Sequence, residues 1–537
     1  MSDVSMPGSR RPRFLAVSLP KLSTDRIRRA RMGRFWRSDA RAEAGAEPAP
    51  LALYAPVGSA FHIAAICDRA ETLGLLPGTG LAEAKARFLG LETLAAEPDA
   101  DRRLLEAVAD WCDRYTPLVA LDPPAGLVLD ISGCAHLFGG EKALMDDLLA
   151  RLFHQGFRAS AAIASHAGTA LALVGHGDRP CVPAGAERAA VLALPVAALR
   201  LAPDLEAMLQ RLGLKSIGAL LSLPRAGLAR RFGAGLLDRL DEAVGLAERP
   251  IGPRRPVPAL LAERPLFEPI SLIEDVERIL FGLAGRLKID LERRGEGARR
   301  LELSLFRVDG AVNRLMVGAA RPVREPSRIL RLFRERMKGL GEDFDAGFGY
   351  DLVKLAVHDT EAMAEVQTDL SGENDGDDAF AGLVDRLGAR LGEAHVLRLK
   401  SEASHRPERV GSWRPAMAAA PAPWPAAAVG ASGAPRPLRM LAVPEPVEAS
   451  FEVPDGAPLK FRWRRALHVV RRAEGPERIA AEWWREADAA TRDYYRVEDD
   501  AGRRFWLFRE GRADPEIDPE LQIPDGRPAW FMHGLFA

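Results

Sequence analysis

Apolar and polar positions alternate with two different periods along the first 170 residues. The run Phe14–Leu19 is short and apolar but for Ser18, the pattern of a buried strand. A basic amphipathic stretch follows from Lys21 to Arg37, then a small-residue linker over Ala42–Pro50. Leu51–Tyr54 and Ile63–Ile66 read as short strands, and Leu81–Phe88 and Arg102–Arg114 as helices. Ala125–Asp130 is a further strand, followed by a Ser-Gly turn, a helix from Glu141 to His154, and a strand over Phe157–Ile163. Strands interleaved with helices predict an α/β or α+β region.

From 171 to 250 the pattern turns helical and rich in Leu and Ala. Leu212–Gly233 holds a short apolar helix, a turn and a second helix, a helix–hairpin–helix pattern. Such hairpins offer backbone N–H groups and cations to a phosphate backbone. Lys215, Arg225, Arg230 and Arg231 are the cations at hand. An ordinary αα-hairpin with a solvated basic face fits the same residues.

Beyond Pro265 the periods are clearer. A strand-like segment precedes a long amphipathic helix over Ile273–Arg294. Arg300–Val308 and Asn313–Ala319 alternate as strands around an Asp309-Gly310 turn. A helix over Pro326–Leu340 and a strand over Tyr350–His358 complete a β-α-β-β-α-β module, a split βαβ unit with one open sheet face. Arg299, Arg300 and Arg314 are its candidate phosphate contacts.

Phe380–Leu399 reads as helical, and Trp413–Pro437 as an extended Ala/Pro linker. The last hundred residues are dense in aromatics, including Trp483-Trp484, Tyr494-Tyr495, Trp506 and Trp530. Tyr494–Glu498 and Arg503–Phe508 predict a β-hairpin in a small β-rich domain. Adjacent aromatics in a strand point to opposite faces, so one of each pair is expected outside the core. Basic and aromatic residues interleave over 461–472, a pattern able to stack single-stranded DNA.

Composition then narrows the classes. The 537 residues carry 74 Lys+Arg against 75 Asp+Glu, a formal net charge of −1, which argues against a histone-like binder. With 47% hydrophobic residues the chain is not disordered throughout and has room for three to five domains. The balance hides a polarity: residues 251–340 hold 19 basic and 12 acidic residues, whereas 341–400 hold 5 and 14. Cys67, Cys112, Cys134 and Cys181 form no metal-spaced pair, so no metal and no cofactor is expected. No apolar run reaches membrane-spanning length, and the Arg-rich N-terminal stretch does not suit a signal peptide. A soluble cytoplasmic protein with no membrane partner is the expectation.

The block order resembles Y-family translesion DNA polymerases over about residues 12–360. The resemblance rests on the stretches 14–27, 64–87 and 125–140, on the helix–hairpin–helix region and on the split βαβ module. It implies an α+β multidomain fold: palm and fingers over 12–170, a helical thumb over 171–250, and a little finger over 255–362. A tether over 363–436 and an aromatic-rich β domain over 437–537 would follow. The C-terminal aromatic block further resembles ImuB proteins, the Y-family-like subunit of a bacterial mutagenesis cassette.

Against that pattern, acids are missing. Nucleotidyl transfer needs two metal ions held by clustered carboxylates. Aligned on Val17-Ser18-Leu19-Pro20, the first metal acid falls on Ser18 and the second acidic position on Pro20. Aligned on Leu129–Ser132, the Asp-Glu pair falls on Ala125 and Gly126, with Asp122 the nearest acid. The Tyr/Arg pair that grips a triphosphate falls on Asp68 and Glu71, and two carboxylates would repel a polyphosphate. The ribonucleotide-excluding aromatic falls on Ser23, and the Ser-x-Asn-Lys-like stretch reads Ser165–Gly168. The expectation is a polymerase-shaped protein that is not an enzyme; the alternative is an active Y-family polymerase with a rearranged metal site.

Gln367–Ser371 resembles the sliding-clamp-binding peptide of bacterial polymerases, with Gln367 at the rim of an apolar groove and Leu370 inside it. The family resemblance implies DNA, the β sliding clamp, a RecA-like ImuA-type protein and an error-prone C-family DNA polymerase as partners. The implied role is a DNA-damage-tolerance adaptor.

Overall fold

The computed structural model describes residues 12–37, 48–176, 180–252, 254–341, 345–363, 375–418, 435–451, 456–486, 490–510 and 529–536. They form two compact units, residues 1–390 and 391–537. Gln367 and Leu370 lie outside the described residues, as do most of the Ala42–Pro50 linker and residues 419–434 of the Ala/Pro stretch.

The first unit is built on β1 (Phe14–Ser18), one of two inner strands of a four-stranded antiparallel sheet. Strands β2 (Leu51–Val57), β3 (Ala60–Ile66) and β4 (Glu92–Ala95) form a separate sheet. With β5 (Val119–Asp122), β6 (Gly126–Asp130) and β7 (Ser160–Ala164), the first sheet runs β5-β6-β1-β7. Both faces of β1 are covered, which explains its apolar run over Phe14–Val17. Leu15 and Val17 join one core, and Ala16 joins another on the opposite face.

Helix α1 (Leu22–Met32) follows β1, and the short α2 (Asp68–Thr72) and α3 (Leu81–Arg87) flank the β2–β4 sheet. Helices α4 (Pro98–Cys112) and α5 (Glu141–His154) supply Leu105, Val108, Trp111, Leu144, Leu148 and Leu152 to the core around Leu15 and Val17. Apolar residues three and four apart make one buried stripe on each helix.

On the other face, α6 (Ala167–Leu173) is wholly buried. It packs among α7 (Glu187–Val191), α8 (Pro203–Arg211), α9 (Ile217–Leu221), α10 (Arg225–Phe232) and α11 (Ala234–Val244). Gly168 permits this: a Cβ there would stand 2.5 Å from the Glu242 carbonyl oxygen of α11.

The split module is present as read. β8 (Leu260–Ile270), α12 (Ile273–Arg294), β9 (Glu296–Arg307), β10 (Val312–Val323), α13 (Pro326–Leu340) and β11 (Tyr350–Ala362) follow in order. The sheet order is β10-β9-β11-β8, and both helices cover one face through Leu280, Leu287, Ile329 and Phe333. Its other face is not open. Phe306 and Leu352 enter the core beneath α4 and α5.

Helix α14 (Asp375–Leu391) stops earlier than the sequence suggests, before Gly392 at φ 95°, a backbone conformation that favours glycine. In the second unit, β12 (Leu397–Ser401) pairs with β13 (Gly411–Pro415), so Trp413 belongs to a strand and not to a linker. A closed six-stranded barrel follows. Its strands are β14 (Arg439–Phe451), β15 (Pro458–Trp463), β16 (Ala466–Ile479), β17 (Arg492–Asp499), β18 (Arg504–Glu510) and β19 (Ala529–Leu535).

The expected β17–β18 hairpin forms. The expectation for the aromatic pairs does not hold. Tyr494 and Tyr495 are both buried, because the barrel has two cores. Tyr495 lies in one with Phe461, Phe505 and Trp530, and Tyr494 in a second cluster with Trp506 and Phe508. Trp483 and Trp484 lie outside the strands and are both exposed.

Candidate functional site

The site implied by the resemblance lies where β1, β5 and β6 end together. Ser18 pairs with Gly126, Gly126 with Asp122, and Ser18 on its other side with Ser160. Ser18 and Gly126 thus stand side by side, with Ala125 adjoining. Asp122 reaches across this row. A Cβ on residue 126 would stand 2.8 Å from the Asp122 carbonyl oxygen and 2.9 Å from its Oδ2.

The Asp122 carboxylate is already paired. Arg200 donates to Oδ2, and Arg249 Nη2 lies 3.4 Å from Oδ1. Arg200 occupies the left-handed region at φ 53°, unusual for a residue with a Cβ. Among the described residues, no three His, Cys, Asp or Glu side chains converge where they could hold a metal ion.

The positions aligned with triphosphate-gripping residues form a second network. Asp68 Oδ2 accepts from Arg37 at 2.9 Å and Oδ1 from Arg158 at 2.5 Å. Arg37 also donates to Asp25 at 2.8 Å, and the Arg158 backbone N–H donates to the other Asp25 oxygen at 2.9 Å. Glu71 pairs with Lys21 at 3.0 Å.

Asp25 is 1% exposed. Burial pushes its carboxyl up to about 6 despite Arg37. For Asp68, burial acts upward too, but hydrogen bonds from Arg37 and Arg158 outweigh it and hold the carboxyl below its ordinary value. These contacts tie α2 to α1 and to the edge of β7. The partners Lys21, Arg37, Arg158, Arg200 and Arg249 were not legible in the sequence, since 31 to 90 residues separate Asp68 from its partners and no spacing rule connects them.

The cations expected to meet DNA divide into two groups. Lys215, Arg230 and Arg231 are exposed around α9 and α10, where Ser216 caps α9 by accepting from the Ala219 N–H at 3.2 Å. Arg225 is engaged by Asp241 at 2.8 and 2.6 Å. In the split module, Arg300 is half exposed with Asp359 3.7 Å away, and Arg299 pairs with Glu361.

Arg314 is mostly covered. It donates to Asp113 at the C-terminal end of α4 at 2.6 Å, to Glu302 at 2.6 Å and to Ser304 at 2.9 Å. Lys354 beside it donates to the carbonyls of Asp113 and Arg114, both at 3.2 Å. Burial pushes Asp113 up to about 6 against the pull of Arg314. Burial also acts upward on Glu302, but hydrogen bonds from His358, Ser304 and Arg314 bring it down to about 2. Nearby, Asp351 bridges Arg114 at 2.9 Å and Arg151 at 2.8 Å. The sheet face expected to be open is therefore seated on the α4–α5 side of the first sheet.

No protein-family model matches the chain. Two solved structures similar to it are a DinB from Sulfolobus solfataricus and an insertion ternary complex of Dbh DNA polymerase. Each is 10% identical, with a TM-score of 0.37, over 66% of this chain and 100% of the other. A DNA polymerase IV from Alkalilimnicola ehrlichii is 28% identical over 240 residues, 43% of this chain and 66% of that protein. Protein ImuB of Caulobacter vibrioides (strain NA1000 / CB15N) is 42% identical over 475 residues, 86% of this chain and the whole of that protein. Identity at that level over the relative's full length shows the family: the chain belongs to the ImuB family.

Proposed function

We propose that this protein is a noncatalytic adaptor in DNA-damage tolerance. It grips primer-template DNA, binds the β sliding clamp, and brings in an error-prone polymerase of the C family together with a RecA-like ImuA-type protein. We assign residues 12–170 to palm and fingers, 171–250 to thumb, 255–362 to little finger, 363–436 to the tether and 437–537 to the aromatic-rich β domain. Membership of a family alongside a relative named DNA polymerase IV supports the DNA and translesion setting. No helix among the described residues is long and apolar enough to cross a membrane, in keeping with a cytoplasmic role.

One observation carries the noncatalytic reading. At the strand ends where the two metals would sit, Ser18 and Gly126 stand in register, and Asp122 beside them is engaged by Arg200 and Arg249. Two guanidiniums near a lone carboxylate oppose a divalent cation by charge. At the positions aligned with triphosphate-gripping residues, Asp68 and Glu71 engage Arg37, Arg158 and Lys21, which occupies the nearby cations that a nucleotide's phosphates would need.

Lys215, Arg230, Arg231 and Arg300 are the cations best exposed for phosphate. Arg314 becomes available only when its bonds to Asp113 and Glu302 break. The exposed Trp483-Trp484 pair suits a protein partner, since large exposed aromatics anchor interfaces.

Primer extension with Mg²⁺ or Mn²⁺ tests the reading, alongside salt-dependent binding to primer-template DNA. The expected result is binding that weakens steeply with salt and no extension. Extension abolished by Asp122→Ala would establish the rearranged-site polymerase instead.

A further inference from the structure

A cleft of about 540 Å³ opens at one end of the C-terminal barrel. Its lining comes from the β15–β16 turn (Trp463, Arg464), the β17–β18 turn (Arg503, Arg504) and the end of β19 (Phe536), with His468 below. The volume is that of a small-ligand pocket. Neither the palm site nor the thumb and split-module contacts involve it.

Three features set it apart. First, the hairpin that forms its wall is strongly basic: residues 460–472 hold six Lys and Arg and no acid. Second, the hairpin turn is strained. Arg464 and Arg465 have φ of 45° and 71°, positions that Asn-Gly takes readily in a two-residue turn. The strain keeps two guanidiniums at the tip, and Arg465 is exposed. Strain held at such a place motivates a functional reading.

Third, the cleft offers ring faces beside cations and an unused acceptor or donor. The Arg464 guanidinium lies 4.7 Å over the Trp463 ring, and Glu445 fixes both side chains, accepting from Trp463 Nε1 at 2.7 Å and Arg464 Nη2 at 2.6 Å. Across the cleft, Arg496 lies 4.9 Å over Phe536. His468 is 3% exposed, and its Nδ1 is 2.9 Å from Asp499. Its Nε2 is buried with no hydrogen-bond partner.

We propose that this cleft binds single-stranded nucleic acid, taking an unpaired base against Trp463 and Phe536 and the adjoining phosphates on the exposed Arg465, with Arg464 and Arg504 exchanging their partners Glu445 and Glu498 (3.0 Å from Arg504) for phosphate. Stacking needs an exposed base face, which a duplex does not present. An acidic peptide would satisfy the arginines and leave the ring faces unused, so the aromatic lining favours nucleic acid. The proposal is independent of the adaptor reading, which places duplex DNA on the first unit.

The test uses the full chain, a fluorescent oligo-dT, a primer-template duplex and a polyglutamate peptide, with binding followed by anisotropy. The variant is Arg464→Asn with Arg465→Gly, which suits the turn and keeps the barrel folded; its melting temperature checks this. The expected result is at least tenfold weaker oligo-dT binding, a shallower salt dependence and unchanged duplex binding. Unchanged oligo-dT binding overturns the proposal. Equal losses for oligo-dT and duplex overturn it as well, since the cleft then has no preference for unpaired bases. Polyglutamate binding that the variant abolishes, without an effect on oligo-dT, assigns the cleft to a protein partner. Absent duplex binding with oligo-dT binding retained sinks the DNA-gripping part of the adaptor reading and leaves the cleft standing.

Discussion

Asp122 folds back over Gly126, so that a Cβ on residue 126 would stand 2.9 Å from the Asp122 Oδ2. The absence of a side chain at one strand end and the placement of a carboxylate from the neighbouring strand are one arrangement. An acid restored at position 126 would have to displace Asp122 from Arg200 and Arg249. Gly126→Glu is therefore expected to destabilise the first unit by about 1–3 kcal/mol, the usual range for overpacking. Adding Ser18→Asp is expected to leave primer extension absent. Thermal unfolding and an extension assay on both variants check this.

Asp351 pairs with the nearly buried Arg114 at 2.9 Å and also holds Arg151 at 2.8 Å. Asp351→Asn leaves the Arg114 charge without its counter-ion. Breaking a buried pair on one side costs about 3–5 kcal/mol, and the residual exposure of both groups puts the expected loss near the lower end. Urea unfolding of the full chain measures it. A loss under about 1 kcal/mol would mean that the seating of the split module does not depend on this bridge.

Asp113 and Arg314 tie the β-sheet of that module to α4 at 2.6 Å. Asp113→Asn combined with Glu302→Gln weakens both ties and makes Arg314 available to phosphate. Duplex affinity is expected to rise and its salt slope to steepen by about one unit, the share of one added phosphate contact. Titrations at several salt concentrations decide it.

His533 is fully buried in the second core of the barrel, with Nδ1 2.8 Å from the Tyr494 hydroxyl. Burial lowers its pKa from 6.5 to about 4. The unfolded chain therefore takes up a proton near pH 6.5 that the folded barrel refuses until about pH 4. Stability contributed by neutral His533 is intact above pH 6.5 and is lost as the pH falls from there towards 4. The full loss is about 3 kcal/mol from the linkage relation. His533→Phe should flatten this part of the pH dependence. Melting temperatures between pH 7 and 4.5 for both proteins provide the comparison.

The Arg464-Arg465 turn makes a separate stability prediction. Two left-handed residues with side chains cost about 1–2 kcal/mol each, and Asn-Gly relieves most of it. The double variant is expected to raise barrel stability by about 1–2 kcal/mol after the loss of the Glu445 pair. A lower melting temperature would show that the pair outweighs the strain.

For the clamp peptide, Gln367→Ala with Leu370→Ala is expected to reduce clamp capture by tenfold or more, because the apolar insertion and its rim hydrogen bond are removed together. Undiminished capture would place the clamp contact elsewhere in the chain.

Much of the fold was legible in the chain because it rests on local pattern. The apolar run over Phe14–Leu19, the stripe along Ile273–Arg294 and the Asp309-Gly310 turn each specify an element from neighbouring residues alone. The residue types at Ser18, Ala125 and Gly126, on which the proposed noncatalytic reading rests, were also legible, since a residue type is a property of the sequence. What surrounds these positions was not. Arg200 and Arg249 reach Asp122 from 78 and 127 positions away, and Arg37 and Arg158 meet on Asp68 only after α1, α2 and β7 have packed. Likewise, the sheet alternation marked Arg314 as a surface cation, while the seating of that sheet on α4 decided that it faces Asp113. Side-chain periodicity is set within a few residues along the backbone, whereas charge pairing depends on which surfaces the tertiary fold brings within about 4 Å.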